Sequence, residues 1–142
     1  MTIAAGTGHT PLTIDAGVAD VRVGVDYRVG SGAGMGGVVL RLTDANNFLV
    51  LETYMNQLQL YKRQAGAWTL LASAPLPAAL TPGTVHRLEA RSAGSTIEGW
   101  WDGVQLLAAV EPFQQDATRQ GVDWNAAYDP TSTYDNFTIR DR

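Results

Sequence analysis

The chain has 142 residues, enough for one domain to bury roughly 68–70% of the surface that its unfolded form exposes, so the core needs no covalent staple. It contains no cysteine, which excludes disulfides and thiolate metal sites. Its formal net charge is -4 with the basic residues scattered singly, which argues against nucleic acid and anionic membranes as partners.

Nearly the whole chain has the pattern of β-strands joined by turns. Val21, Val23, Val25, Tyr27 and Val29 alternate with Arg22, Gly24, Asp26 and Arg28, the period of two of a half-buried strand. GSGAGMGG then reads as a flexible connection. Val38, Leu40 and Leu42 alternate with Val39, Arg41 and Thr43, and Asp44-Ala45-Asn46-Asn47 has turn chemistry. Phe48 to Tyr54 is apolar on both faces, as expected of a central strand. Met55-Asn56 turns into Gln57–Arg63, with Leu58 and Leu60 inward. Gln64-Ala65-Gly66 turns into Trp68–Ser73, where Trp68 reads as core.

The three prolines of APLPAALTPG make a loop across one end. Val85–Ser92 places His86, Leu88 and Ala90 on one face, and His86 reads as a satisfied core histidine. Ala93-Gly94-Ser95 leads into Thr96–Trp101, and Asp102-Gly103 is a type I′ hairpin signal before Val104–Val110. Pro112–Gln120 is irregular, with room for one helical turn; Gly121–Asn125 and Thr133–Arg140 close the chain. No apolar run approaches the roughly 20 residues of a membrane span, so no membrane insertion is expected. The opening MTIAAGTGHTPL lacks the basic and apolar regions of a secretion signal: either release needs none, or Met1 heads an excised domain. Short strands with turns about every 8–12 residues indicate an all-β sandwich or barrel, and residues 1–142 read as one domain.

The stretch GWWDG sets two tryptophans before a tight turn. Alternation puts Ile97, Gly99 and Trp101 on the core face, with Gly99 leaving room for the Trp101 indole. Trp100 and Glu98 fall on the outer face. An outward tryptophan has three readings: a ligand platform, a subunit contact, or a ring covered by its own chain.

The runs GGVVLRLTDANNFLVLETYMNQLQLYKRQAGAWTLLAS, TPGTVHRLEARSAGSTIEGWWDGVQLL and TYDNFTIRD resemble, in order, the concanavalin A-like lectin/glucanase superfamily. They are closest to the short laminin-G-like jelly rolls of bacterial secreted and phage tail proteins. The positions that carry the resemblance are Arg41; Asn47 and Phe48; Leu58, Leu60 and Lys62; Asp102 and Gly103; and Asp135, Asn136 and Phe137, within roughly residues 18–140. The resemblance implies an antiparallel β-sandwich, a jelly roll of two curved sheets with a concave face. It does not imply one function, because the fold hosts lectins, glycosidases and structural modules.

Gly32-Ala33-Gly34-Met35-Gly36-Gly37 matches G-x-G-x-x-G, but a strand pattern comes next where a phosphate site needs a helix. The paired-glutamate strand of the superfamily's glucanases is absent: Glu52, Glu89, Glu98 and Glu111 stand on separate segments. Hydrolysis would require two carboxylates facing each other in a cleft. No cofactor is expected. Calcium would draw on Asp44, Asn46 and Asn47 or on Asp129 and Asp135, residues that turn chemistry explains equally well.

Aromatics beside polar groups point instead to sugar, through an apolar platform with a few placed hydrogen-bonding groups. The candidate carbohydrate-binding residues are Trp100 with Glu98, Trp124 and Tyr128 in GVDWNAAYDP beside Asp123, Asn125 and Asp129, and Tyr54 and Tyr61 with Arg41 and Glu52. Alternation alone does not decide which sheet carries the ligand face. The expected function is a non-catalytic carbohydrate-binding or adhesion module, extracellular or on a virion such as a phage tail, with a cell-surface polysaccharide as partner. The alternative is a structural domain that makes trimer or virion contacts.

Overall fold

Inward and outward side chains sort this chain into two sheets. The computed structural model describes residues 2–3, 8–32 and 34–142. Its strands are β1 (Thr2–Ile3), β2 (Thr10–Asp15), β3 (Val21–Arg28), β4 (Gly36–Asp44), β5 (Asn47–Tyr54) and β6 (Gln57–Gln64). They continue as β7 (Ala67–Pro75), β8 (Val85–Ala93), β9 (Thr96–Trp101), β10 (Val104–Val110), β11 (Arg119–Trp124) and β12 (Thr133–Asp141). One sheet runs β1-β2-β11-β4-β5-β6-β7 and the other β10-β9-β8-β3-β12, with antiparallel pairing throughout. The result is the expected β-sandwich. Among the described residues there is no helix, and the segment after Pro112 forms hydrogen-bonded turns in place of a helical turn.

The core lies between the sheets. Val38, Leu40, Leu49, Leu51, Leu58 and Leu60 meet Val21, Val23, Val25, Tyr27, Leu88, Ala90, Ile97 and Trp101 across the gap. Burying each such aliphatic side chain stabilises the fold by about 1.5–3 kcal/mol. Trp101 is buried as alternation requires, but the space over Gly99 is filled by others: a Cβ there would lie 2.8 Å from both Leu107 and Leu51. Asp102 and Gly103 both have positive φ, 48° and 81°, the geometry of a type I′ turn.

Two irregularities redirect side chains. The β4–β5 register shifts between Leu40 and Asp44, and Arg41 at φ 54° leaves the alternation. Its guanidinium runs inward, donating to the Gly94 carbonyl at 2.6 Å and lying 3.5 Å from Asp20. Arg41 is therefore a fully buried tie across one end of the sandwich, and its expected place beside a sugar is corrected. The β6–β7 register shifts between Leu60 and Tyr61, where Leu71 is the extra residue. Beyond it Ala72 and Ala74 face the core, while before it Trp68 pairs with Arg63 and turns outward.

The glycine-rich connection packs against the loop before β12 and enters a strand, as its sequence indicates. A Cβ on Gly30 would lie 2.1 Å from Asp129, and one on Gly36 would lie 2.5 Å from the Tyr27 ring. The fully buried Asp129 carboxylate accepts hydrogen bonds from the Tyr27 hydroxyl at 2.6 Å, the Gly30 amide at 3.0 Å and the Gly32 amide at 3.3 Å. Asp129→Ala leaves these donors unpaired and is expected to cost about 2–4 kcal/mol. Urea unfolding checks this: the midpoint falls while the slope stays constant, and a loss below about 1 kcal/mol would mean that water replaces the carboxylate.

Candidate functional site

The outer face of the seven-stranded sheet carries rows of side chains that run across the strands. One row is Pro11, Asp123, Gly37, Glu52, Gln59 and Ser73, from β2 to β7. The next holds Val39, Val50 and Tyr61, and beyond it lie Phe48, Arg63 and Trp68. Val39, Leu42, Phe48 and Val50 form a second, smaller apolar cluster on this face, with Tyr61 packed against it.

Trp68 stands over that cluster. Its ring meets Phe48 at 5.7 Å and Tyr61 at 6.0 Å, both edge-on, and the Arg63 guanidinium lies 5.0 Å from its centroid. Its other neighbour is His9, 4.6 Å away. Together with Met35, Glu52, Tyr54, Gln59, Tyr61 and Tyr128, these two rings line a groove of about 300 Å³. Tyr54 and Tyr128 meet edge-on at 5.4 Å and form its far end.

Glu52 and Asp123 come together at the base. They flank Gly37, where a Cβ would lie 3.3 Å from the Cβ of each. His9 Nδ1 is hydrogen-bonded to Asp123 Oδ2 and lies 3.8 Å from Glu52 Oε2. Glu52 Oε2 and Asp123 Oδ1 have no hydrogen-bond partner among the described residues, although both side chains are almost wholly buried. Burial first, and then the Asp123 charge, push the Glu52 carboxyl well above its ordinary range. From the other sheet, the Tyr134 hydroxyl accepts from the Gly37 amide at 3.0 Å and donates to the Asp123 carbonyl at 2.6 Å, which fixes both backbones.

The residues singled out in the sequence separate. Glu52, Tyr54 and Tyr128 line the groove. Trp124 follows Asp123 on β11 and so points to the opposite side of the strand. Trp100 and Glu98 lie on β9, in the other sheet. There the Arg91 guanidinium sits 3.6 Å from the centroid of the Trp100 ring, and the indole N–H donates to Glu98 at 3.0 Å. Arg91 thus covers one face of the ring, and the side chain stays half-buried. Trp68, expected in the core, is 38% exposed and belongs to the groove.

His9 and Gln59 are not among the candidates, and Asp123 enters only as a neighbour of Trp124; the outward positions of Gln59 on β6 and Asp123 on β11 could have suggested them, but only pairing order brings them together with Tyr61. His86 is satisfied, stacked on Trp101 at 4.6 Å and hydrogen-bonded to Asp102 at 2.7 Å, but its side chain is 25% exposed and lies at the edge of the core, where a core position was expected. The oxygens considered for calcium serve the chain itself: Asp44 accepts from the Asn46 amide and the Asn47 side chain, and Asp129 from the donors above.

These sheets and this topology are those of a concanavalin A-like jelly roll. Solved structures with the same fold include the carbohydrate-binding module CBM66 from Bacillus subtilis, with a TM-score of 0.76 at 16% identity over 96% of this chain and 84% of that one. A galectin of Caenorhabditis elegans gives a TM-score of 0.63 at 14% identity over 98% and 94%. CG-16, a homodimeric agglutinin from chicken liver, gives 0.68 at 12% identity over 92% and 99%. Neither a protein-family model nor a curated protein sequence matches the chain.

Because the folded chain favours protonated Glu52, this group's contribution is full below the ordinary carboxylate pKa, about 4.3, and is lost as pH rises through the elevated folded value. Glu52→Gln in metal-free buffer is therefore expected to raise the thermal midpoint by a few degrees near neutral pH. The gain should vanish below about pH 4. A variant less stable than the parent at neutral pH would show that His9 already compensates the charge.

Proposed function

We propose that the chain is a non-catalytic carbohydrate-binding module that holds a glycan in the groove on the seven-stranded sheet. The observation that carries this reading is the groove's lining: Trp68, Tyr61, Tyr54 and Tyr128 form an aromatic enclosure around a few polar groups, His9, Glu52 and Gln59. Sugar rings offer C–H faces to aromatic rings and hydroxyls to such polar groups, and pockets that combine the two orient small polar ligands. With no cation bound, the Asp123 carboxylate at the base disfavours acidic sugars, so neutral glycans are the first to test. The fold neighbours described as a carbohydrate-binding module, a galectin and an agglutinin support the reading. A cell-surface polysaccharide, met outside the cell or from a phage tail, is the proposed partner and setting; such single sites gain avidity when several are displayed together.

Hydrolysis is the second reading, because Glu52, which lines the groove, and Asp123 beneath it come together. They stand side by side over Gly37, whereas hydrolytic carboxylates flank the scissile bond. This geometry favours binding without turnover.

Tryptophan fluorescence during titration with a panel of neutral bacterial polysaccharides tests the proposal. A saturable change is expected in the parent and in Trp100→Ala, with affinity about tenfold weaker or more in Trp68→Ala, a loss of about 1.4 kcal/mol. The same loss in Trp100→Ala alone would move the site to the other sheet. Release of reducing sugar that stops in Glu52→Gln would replace binding by hydrolysis.

A further inference from the structure

We propose that His9, Glu52 and Asp123 bind one divalent cation of the zinc type at the base of the groove. Their candidate donor atoms, one imidazole nitrogen and two carboxylate oxygens, lie within 4.8 Å of one another. An acidic pair alone would be weak evidence. Here two separate features point to a ligand.

The first is the pair of unpartnered oxygens, Glu52 Oε2 and Asp123 Oδ1, on side chains that are at least nine-tenths buried. A buried carboxylate oxygen without a donor is costly, and two like charges side by side compound the cost. One cation between them satisfies both oxygens and neutralises both charges. The second is the position of His9. Its Nδ1 lies 3.8 Å from Glu52 Oε2, close to the roughly 3.4 Å that separates two ligands each about 2.0–2.2 Å from a tetrahedral zinc. On loading, the His9–Asp123 hydrogen bond gives way to one bond from each residue to the cation; the proton on Nδ1 moves to Nε2 or to solvent, and any proton on Glu52 is released to solvent.

The donor set selects the ion. Calcium gathers about 6–8 oxygens, more than two carboxylates and Gln59 offer here. One imidazole with two carboxylates suits zinc, which in three-ligand sites keeps a fourth position open. His9 and Glu52 line the groove, so that position faces it. The cation also fixes the His9 ring, and with it the Trp68 wall 4.6 Å away. That influence on glycan binding rests on the function proposed above; the cation site itself does not.

Chelator-treated full-length chain, titrated with zinc chloride in a calorimeter, provides the test. One equivalent should bind saturably and raise the thermal midpoint. Glu52→Gln and Asp123→Asn should each weaken binding about tenfold or more while keeping the parent far-ultraviolet spectrum. His86→Gln, which alters the other histidine, should bind as the parent does. Should Asp123→Asn fail to fold, Glu52→Gln carries the test alone, since it keeps the size and shape of the side chain it replaces. No saturable binding, binding undiminished in Glu52→Gln, or calcium binding more tightly than zinc would each overturn the site. Glycan affinity unchanged by chelation would overturn the cation's part in recognition. One-equivalent zinc binding without any glycan binding would uphold the site and overturn the lectin reading.

Discussion

Two acidic side chains on strands that are not neighbours can meet only when the strand between them offers no side chain. Gly37 on β4 meets that condition, with Asp123 on one side and Glu52 on the other. A Cβ there would stand 3.3 Å from the Cβ of each and 3.2 Å from Val50, tight enough that the neighbours would have to shift by a few tenths of an ångström. The rest of the groove depends on this gap. The carboxyls converge out of water, Glu52 is driven toward its protonated form, and His9 closes over the pair. Trp68 then packs beside His9.

Such an arrangement opposes folding, and the sandwich has to hold it. The sheet beneath is anchored by a continuous aliphatic core, whose dense packing resists the small shifts that would let the acids separate. Tyr134 reaches from the other sheet to the backbone of Gly37 and Asp123 at once. A single buried hydroxyl thus couples the core to the base of the groove. The phenol is itself held strongly in its neutral form, chiefly by burial, so it stays a donor across the ordinary pH range.

The sequence carries the core in plain form. Val21 to Val29, Leu58 with Leu60, and Ile97 with Trp101 all fall on the faces that alternation assigns. It carries the turns as well, because Asp102-Gly103 has few other conformations open to it. The bulges are not legible. A strict period of two places Trp68 with Ala72 and Ala74 in the core; the one extra residue at Leu71 inverts it. Arg41 is lost to the site in the same way. β2 has no counterpart among the expected strands, because its six residues hold Pro11 and only two aliphatic side chains, Leu12 and Ile14. The acid pair is hidden for another reason. Glu52 and Asp123 are 71 residues apart, and nothing local announces that β11 pairs with β4.

Asp129 separates two tasks along the loop that leads to β12. The carboxylate is locked inside the molecule by Tyr27 and the glycine-rich connection, while Tyr128, one residue earlier, lines the groove. The exposed stretch Ala126–Tyr128 is thus clamped at its far end by a contact that owes nothing to its own composition. Such a segment can be rewritten while the scaffold stays put. Exchanging these few residues would reshape the rim of the groove and leave the sandwich beneath it intact, and a designer could graft a new rim at the same place.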